Sequence, residues 1–163
     1  MARAPSSMVE EDRNGMEILD RAHCLGLLRT VPVGRVGLSI NALPVVLPVN
    51  FAYDAERERI IIRTSEGGKL RAALLGAIVA FETDQIDPVS HTGWSVLVRG
   101  QSSLVTDPHD LERLRRLPLR PWANEQTDHW VAISTDLVTG RRIGGWYGKG
   151  ELKHHRLGPD GSG

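Results

Sequence analysis

The spacing of apolar and polar positions changes several times along the chain, and each change marks an element. Asp20 can cap a short helix from Arg21 to about Arg29, with Leu25 and Leu28 facing inward and Gly26 as a weak point, before Pro32 stops it. Gly34 to Ile40 reads as a first strand, Asn41-Ala42-Leu43 as a turn, and Pro44 to Tyr53 as a second strand. Pro44 and Pro48 cannot donate ladder hydrogen bonds, so this strand is expected to meet an edge or a bulge somewhere along its length. A polar connection, Asp54 to Glu58, leads into a β-branched third strand, Arg59 to Thr64. Gly68 to Leu74 predicts a short helix, Ala77 to Thr83 a fourth strand, and Asp84 to Thr92 a loop rich in Asp and Pro. A long fifth strand runs from Gly93 to Thr106, with Gly100 as a bend or bulge. Pro108 opens a helix through about Leu117, and His129 to Ile143 reads as a sixth strand.

Six strands joined mostly by hairpin-length connections, with short helices at the margins, predict a mainly β, antiparallel barrel rather than a βαβ sheet. Closure removes the exposed edges and buries one face of each strand, which suits the alternation in the fourth and fifth strands. Residues 1–15 mix Ala, Pro, Ser and charge without periodicity and read as a disordered arm. The tail 148–163, ending Gly158-Pro159-Asp160-Gly161-Ser162-Gly163, reads the same way, leaving a body of residues 16–147.

Composition narrows the partners. The 163 residues carry 20 Lys plus Arg against 20 Asp plus Glu. That balance argues against electrostatic binding of nucleic acid or an anionic membrane, since either needs a concentrated basic surface. No apolar run reaches the length of a membrane span, and no charged-then-apolar signal segment opens the chain. The single Cys24 excludes an intrachain disulfide and fits a cytoplasmic protein. Its setting, Ala22-His23-Cys24-Leu25, predicts a buried structural thiol rather than a nucleophile.

Candidate chemistry gathers at one point. The run Arg59-Ile-Ile-Ile-Arg63-Thr64-Ser65 crosses Gly67-Gly68 and re-enters helix-forming sequence at Lys69. A strand, a tight turn and a helix start would collect cations, hydroxyls and backbone N–H groups, the donors a phosphate requires. The other reading is an ordinary surface turn with solvated charges. Elsewhere the residues favour structure. His91 reads as a solvated loop residue rather than a haem ligand or a substrate-polarising group, and His154-His155 lacks a spaced third ligand, so no metal site is expected. Asp107, Asp110 and Glu112 read as capping and dipole partners, and Arg113 to Arg116 as a solvated face. Trp122, Trp130 and Trp146 read as core or dimer anchors, and no side chain stands out as a catalytic acid or base.

Taken in order, Cys24-Leu-Gly-Leu-Leu, Val33-Gly-Arg-Val-Gly, Leu47-Pro-Val-Asn-Phe51, Ile62-Arg-Thr-Ser with Gly68-Lys-Leu, Ala80-Phe-Glu-Thr-Asp84 and Gly93-Trp-Ser-Val-Leu-Val-Arg-Gly100 make a specific set. With them the chain resembles the pyridoxamine 5′-phosphate oxidase-like superfamily of flavin-binding split β-barrels, over roughly Leu19 to Ile143. The resemblance implies a homodimer with FMN at the interface. It implies a phosphate held by Arg63, Thr64, Ser65, Gly68 and Lys69, and a ring lying along Pro48, Val49 and Asn50. Trp94 and Ser95 would approach from the partner subunit or wall the ring. The expected function is a flavin-dependent oxidoreductase passing hydride or electrons to or from a small molecule. An F420-dependent reductase and a non-catalytic flavin or haem carrier or sensor are the alternatives on the same fold. The ending Arg141-Arg142-Ile143-Gly-Gly-Trp146-Tyr147 departs from the C-terminal segment of the oxidase that names the family, which argues against vitamin B6 oxidation. The chain resembles instead the smaller branch of general flavin-binding and nitroimidazole-reductase-like members.

Overall fold

The computed structural model describes residues 10–13, 15–64, 74–119 and 129–144. Asp20 caps the first helix as expected, its side chain accepting from His23 N at 2.7 Å. That helix, α1 (Arg21–Leu27), buries Cys24 and is preceded by a short strand, β1 (Glu17–Leu19), which the residue pattern did not announce. Strands β2 (Val33–Ile40) and β3 (Leu43–Asp54) form a hairpin whose two turn residues, Asn41 and Ala42, have φ of 52° and 64°. Positive φ at both positions gives the mirror-image turn that matches strand twist; Asn tolerates it well and Ala does so at some strain.

The remaining elements are β4 (Arg59–Thr64), β5 (Ile78–Asp87), β6 (Thr92–Leu104), α2 (Pro108–Leu114), β7 (His129–Ser134) and β8 (Leu137–Ile143). Strands β2, β3, β4, β7, β6 and β5 pair in that order and β5 returns to β2, closing a six-stranded antiparallel barrel. The expected helix from Gly68 to Leu74 lies outside the described residues except for Leu74, which is fully buried.

Closure depends on β6 changing partner. Along one edge it pairs with β5; along the other, Gly93 to Arg99 pair with β8 and Ser102 to Leu104 with β7. The switch falls at Gly100, where a Cβ would overlap the Ser134 carbonyl, so only glycine allows the two backbones this close. The strand expected over His129 to Ile143 is accordingly two strands, β7 and β8, with a corner at Thr135-Asp136. No Gly or Pro marks that corner. Side chains hold it: Thr135 Oγ1 donates to Glu58 O at 2.7 Å, and Arg21 donates to Thr135 O at 2.8 Å.

Two apolar clusters result. The barrel interior packs Val36, Phe51, Ile60, Ile62, Phe81, Val96, Val98, Val131 and Ile133, with Phe51 and Phe81 edge-to-face at 4.7 Å. Outside the barrel wall, Ala52, Ile61, Trp130 and Ala132 meet Leu114 of α2 and Leu119 beyond it. Cys24 is among the inner group, and burial pushes its thiol pKa up, as suits an unreactive packing residue.

Candidate functional site

The second strand behaves as two segments. From Leu43 to Asn50, β3 pairs only with β2; from Phe51 to Asp54 it pairs with β4. The β3–β4 ladder stops at Phe51–Ile62, so the next positions, Asn50 and Arg63, mark a fork. Phe51 N donates to Pro32 O at 3.0 Å on the β2 side. Backbone groups alternate direction along a strand, so Pro44, Val46, Pro48 and Asn50 direct theirs toward the opposite edge. Among the described residues no strand covers that edge. Pro44 and Pro48 therefore lie where a missing N–H costs no ladder bond, which meets the expectation set by their positions.

The fork has two faces. Val49 packs against the barrel core, and Thr64 is buried on the face that β4 shares with Ile60 and Ile62. Arg63 lies on the other face, half-buried, with its guanidinium carbon 4.8 Å from the centroid of the Trp130 ring. Arg63 and Trp130 are direct partners in the β4–β7 ladder, and Thr64 pairs with His129. Ser65, Gly68 and Lys69 lie outside the described residues. The structure thus places Pro48, Val49, Asn50, Arg63 and Thr64 around the fork, Val49 and Thr64 on its inner face and Arg63 on its outer one.

Trp94 and Ser95 are not at the fork within one chain. Strands β5 and β2 lie between β6 and the Pro48–Asn50 segment. Trp94 is 8% exposed and packs in the barrel interior, while Ser95 is half-buried on the outer face, paired with Asp84 and Arg141.

The outer face of β3, β2, β5, β6 and β8 carries exposed apolar surface. Val46 is 69% exposed, Ile78 72% and Leu137 55%, with Pro48 and Leu97 in neighbouring rows. Register places Val46, Gly37, Ala80, Arg99 and Leu137 in one cross-strand row, and Pro48, Arg35, Glu82, Leu97 and Thr139 in the next. Arg35 reaches Glu82 at 3.2 Å and Asp84 at 3.0 Å within this face. Burial and the nearby Asp84 push the Glu82 carboxyl above its usual range, against the pull of Arg35.

What the residue pattern missed is the ionic lock under α2. Asp107 caps α2, accepting from Asp110 N at 2.7 Å, as expected. Asp110 does more than complement a helix dipole. It is 2% exposed and accepts from Arg57, Arg59 and Arg113 at 2.8, 2.6 and 2.8 Å. Arg113 is correspondingly no solvated residue: it grips both oxygens of Asp54, at 2.7 and 2.6 Å, and Arg59 adds a 2.9 Å bond. Burial alone would raise the Asp54 pKa, but the bonds from Arg113 and Arg59 win and hold it down at about 2. Arg113 meets Asp54, and Arg57 and Arg59 meet Asp110, across more than fifty residues of sequence, so local pattern does not reveal the lock. His91 is an exposed loop residue with φ of 52°, in line with the solvated reading.

These features define a class: an antiparallel barrel whose wall splits where one strand leaves its neighbour, exposing a strand edge beside a cation. The family described as pyridoxamine 5′-phosphate oxidase matches residues 20–142, and the chain belongs to that family. An uncharacterized protein of Mycobacterium tuberculosis is 39% identical over 148 residues, covering 86% of this chain and 95% of the relative. The solved structure of the FAD binding protein from Mycobacterium smegmatis is 35% identical with a TM-score of 0.67, covering 77% of this chain and 97% of that one. The FAD and heme binding protein from the same organism has a TM-score of 0.64 over 78% of this chain and 73% of its own, but at 20% identity that likeness speaks to the fold alone. No helix among the described residues is long and apolar enough to cross a membrane.

Proposed function

We propose that this protein binds a flavin nucleotide at the β3–β4 fork and uses it as an oxidoreductase on a small molecule. The observation that carries this reading is the open edge of β3 beside the Arg63–Thr64 end of β4. A flavin ring needs a flat apolar bed with backbone groups along its polar rim, and its phosphate needs cations and hydroxyls. The residues fit both demands. Pro48, Val49 and Asn50 offer the bed and the rim; Arg63 and Thr64, continued in sequence by Ser65, Gly68 and Lys69, offer the phosphate donors. The bound flavin would supply hydride and electron transfer. The chain's own part is to bind, orient and exclude water, and no acid or base is assigned.

FMN is the cofactor the phosphate turn suits in its simplest form. The relative that binds FAD, at 35% identity, favours FAD as the second reading, since its flavin and first phosphate are the same groups. F420 also carries a phosphate and would use the same turn. Trp94 and Ser95 enter the reading through a second copy of the chain. The exposed apolar rows around Val46 and Leu97 are the surface on which a homodimer would form, bringing the β6 segment of one protomer toward the fork of its partner. A cytoplasmic setting suits the lone buried thiol, Cys24.

The test is cofactor identification on the purified protein. Flavin absorbance, with FMN or FAD released on denaturation, is the expected result. Colourless protein whose melting temperature rises with F420 but not with FMN or FAD would replace the flavin assignment. Light scattering should give twice the chain mass; a monomer that holds flavin fully would remove Trp94 and Ser95 from the site.

A further inference from the structure

We propose that Trp130 is a positioning residue for the phosphate end of the ligand, setting the direction of Arg63; the inference rests on the flavin nucleotide reading above. Three observations converge. The two residues face each other across the β4–β7 ladder, and the guanidinium lies over the indole at 4.8 Å, inside the range of a cation–π contact. Trp130 is itself immobilised. It is 6% exposed and packed with Ile61, Leu114 and Leu119 in the outer apolar cluster, and its carbonyl accepts from Val105 N at 2.8 Å. The helix closing that cluster is fastened by the Asp54–Arg113–Asp110 lock.

The arrangement forms a chain of support. The lock fixes α2, α2 closes the apolar layer over the indole, and the indole orders Arg63. An arginine side chain loses considerable rotamer entropy when it grips a ligand. A ring face that orders it beforehand removes part of that loss, and an indole adds no opposing formal charge. Trp130 thereby favours ligands carrying a phosphate over those with the ring alone, without touching the ligand.

Binding of FMN and of riboflavin, which lacks the phosphate, tests this on the full-length protein freed of bound cofactor. Trp130→Leu keeps apolar bulk and removes the ring face; Trp130→Phe keeps a face. Trp130→Leu should weaken FMN about tenfold and change riboflavin by less than about twofold, while Trp130→Phe recovers to within about threefold of wild type. The Arg63→Ala/Trp130→Leu double variant should bind FMN no more weakly than Arg63→Ala alone. Wild-type FMN affinity in Trp130→Leu, with a loss in Arg63→Ala, overturns the role of Trp130 and leaves the flavin reading standing. Equal loss of FMN and riboflavin shows packing only and overturns it too. An Arg63→Ala variant with full FMN affinity overturns it by moving the phosphate elsewhere, and a wild type that binds neither flavin removes both readings. Should Trp130→Leu not fold, Trp130→Met takes its place under the same criteria.

Discussion

Strand β3 places two kinds of surface end to end. Over Phe51–Asp54 every residue is buried, the strand is paired with β4 while Phe51 N bonds Pro32 O on the other side, and the segment ends in a carboxylate held by two arginines. Over Leu43–Asn50 the same strand has one partner, side chains alternate between exposed and half-buried, and two prolines lie along the open edge. The first kind of segment gains stability from apolar burial and paired ladders. The second leaves backbone groups directed away from the sheet, which a folded protein tolerates where something else covers them. One strand thus anchors the barrel with one half and leaves an open edge with the other, the edge proposed to bind, and rigidity at the fork comes from the half beyond it.

Substitutions on the two sides should therefore separate stability from binding. The largest effect is expected at Phe51→Ala, which removes a 3% exposed ring packed edge-on against Phe81 and should cost about 4 kcal/mol in denaturant unfolding. Asp54→Ala comes next, at about 3 kcal/mol, because it leaves Arg59 and Arg113 half-buried with the carboxylate they share at Asp54 gone. A flavin affinity that collapsed in a folded Asp54→Ala protein, with stability unchanged, would break the division.

Acid sharpens the same comparison. The folded Asp54 pKa of about 2 lies below the ordinary carboxylate value, so its contribution is complete above about pH 4 and is lost as pH falls through 2. That contribution amounts to about 2 kcal/mol for the shift involved. Asp110 is lowered in the same direction: burial works against it, and the bonds from Arg59 and Arg113 outweigh that. Unfolding free energy measured from pH 5 to pH 2 should fall in the wild type, and Asp54→Asn should flatten much of that fall. An equal slope in both proteins would take the acid response away from the lock.

On the binding side, Arg63→Ala and Lys69→Ala should each weaken FMN by about 2 kcal/mol, the scale of a lost charge-assisted contact. The smallest effect on the single chain is expected at Val46→Asp, within about 0.5 kcal/mol, because the side chain is 69% exposed. In solution the same change should dissociate the proposed homodimer, seen by light scattering. A Val46→Asp protein that stays dimeric would place the interface on another face.

Much of the barrel was legible because strand alternation and hairpin turns are local signals. Asp20, Asn41 and Asp107 act within a few residues of themselves, and each takes the part its position suggested. Pro44 and Pro48 announced an edge for the same reason. The corner at Thr135-Asp136 was not legible, since it is made by Arg21 and Glu58, over seventy residues away in sequence. The lock was missed on the same ground: Arg113 has the composition of a solvated helix face until Asp54 is brought under it. The proposed site was legible in composition and not in geometry. A phosphate-binding composition can be read from Arg63, Thr64 and Lys69, whereas the fork beside it exists only because β4 leaves β3 after Ile62.

The central claim is that the open edge and the cation at this fork hold a flavin nucleotide. Titration of the cofactor-free protein with FMN, FAD and riboflavin, followed by flavin fluorescence, addresses it most directly. The expected result is saturable binding at one flavin per chain, with FMN or FAD held at least tenfold more tightly than riboflavin, about 1.4 kcal/mol for the phosphate contacts. Equal affinity for all three, or no binding by any, would contradict the account.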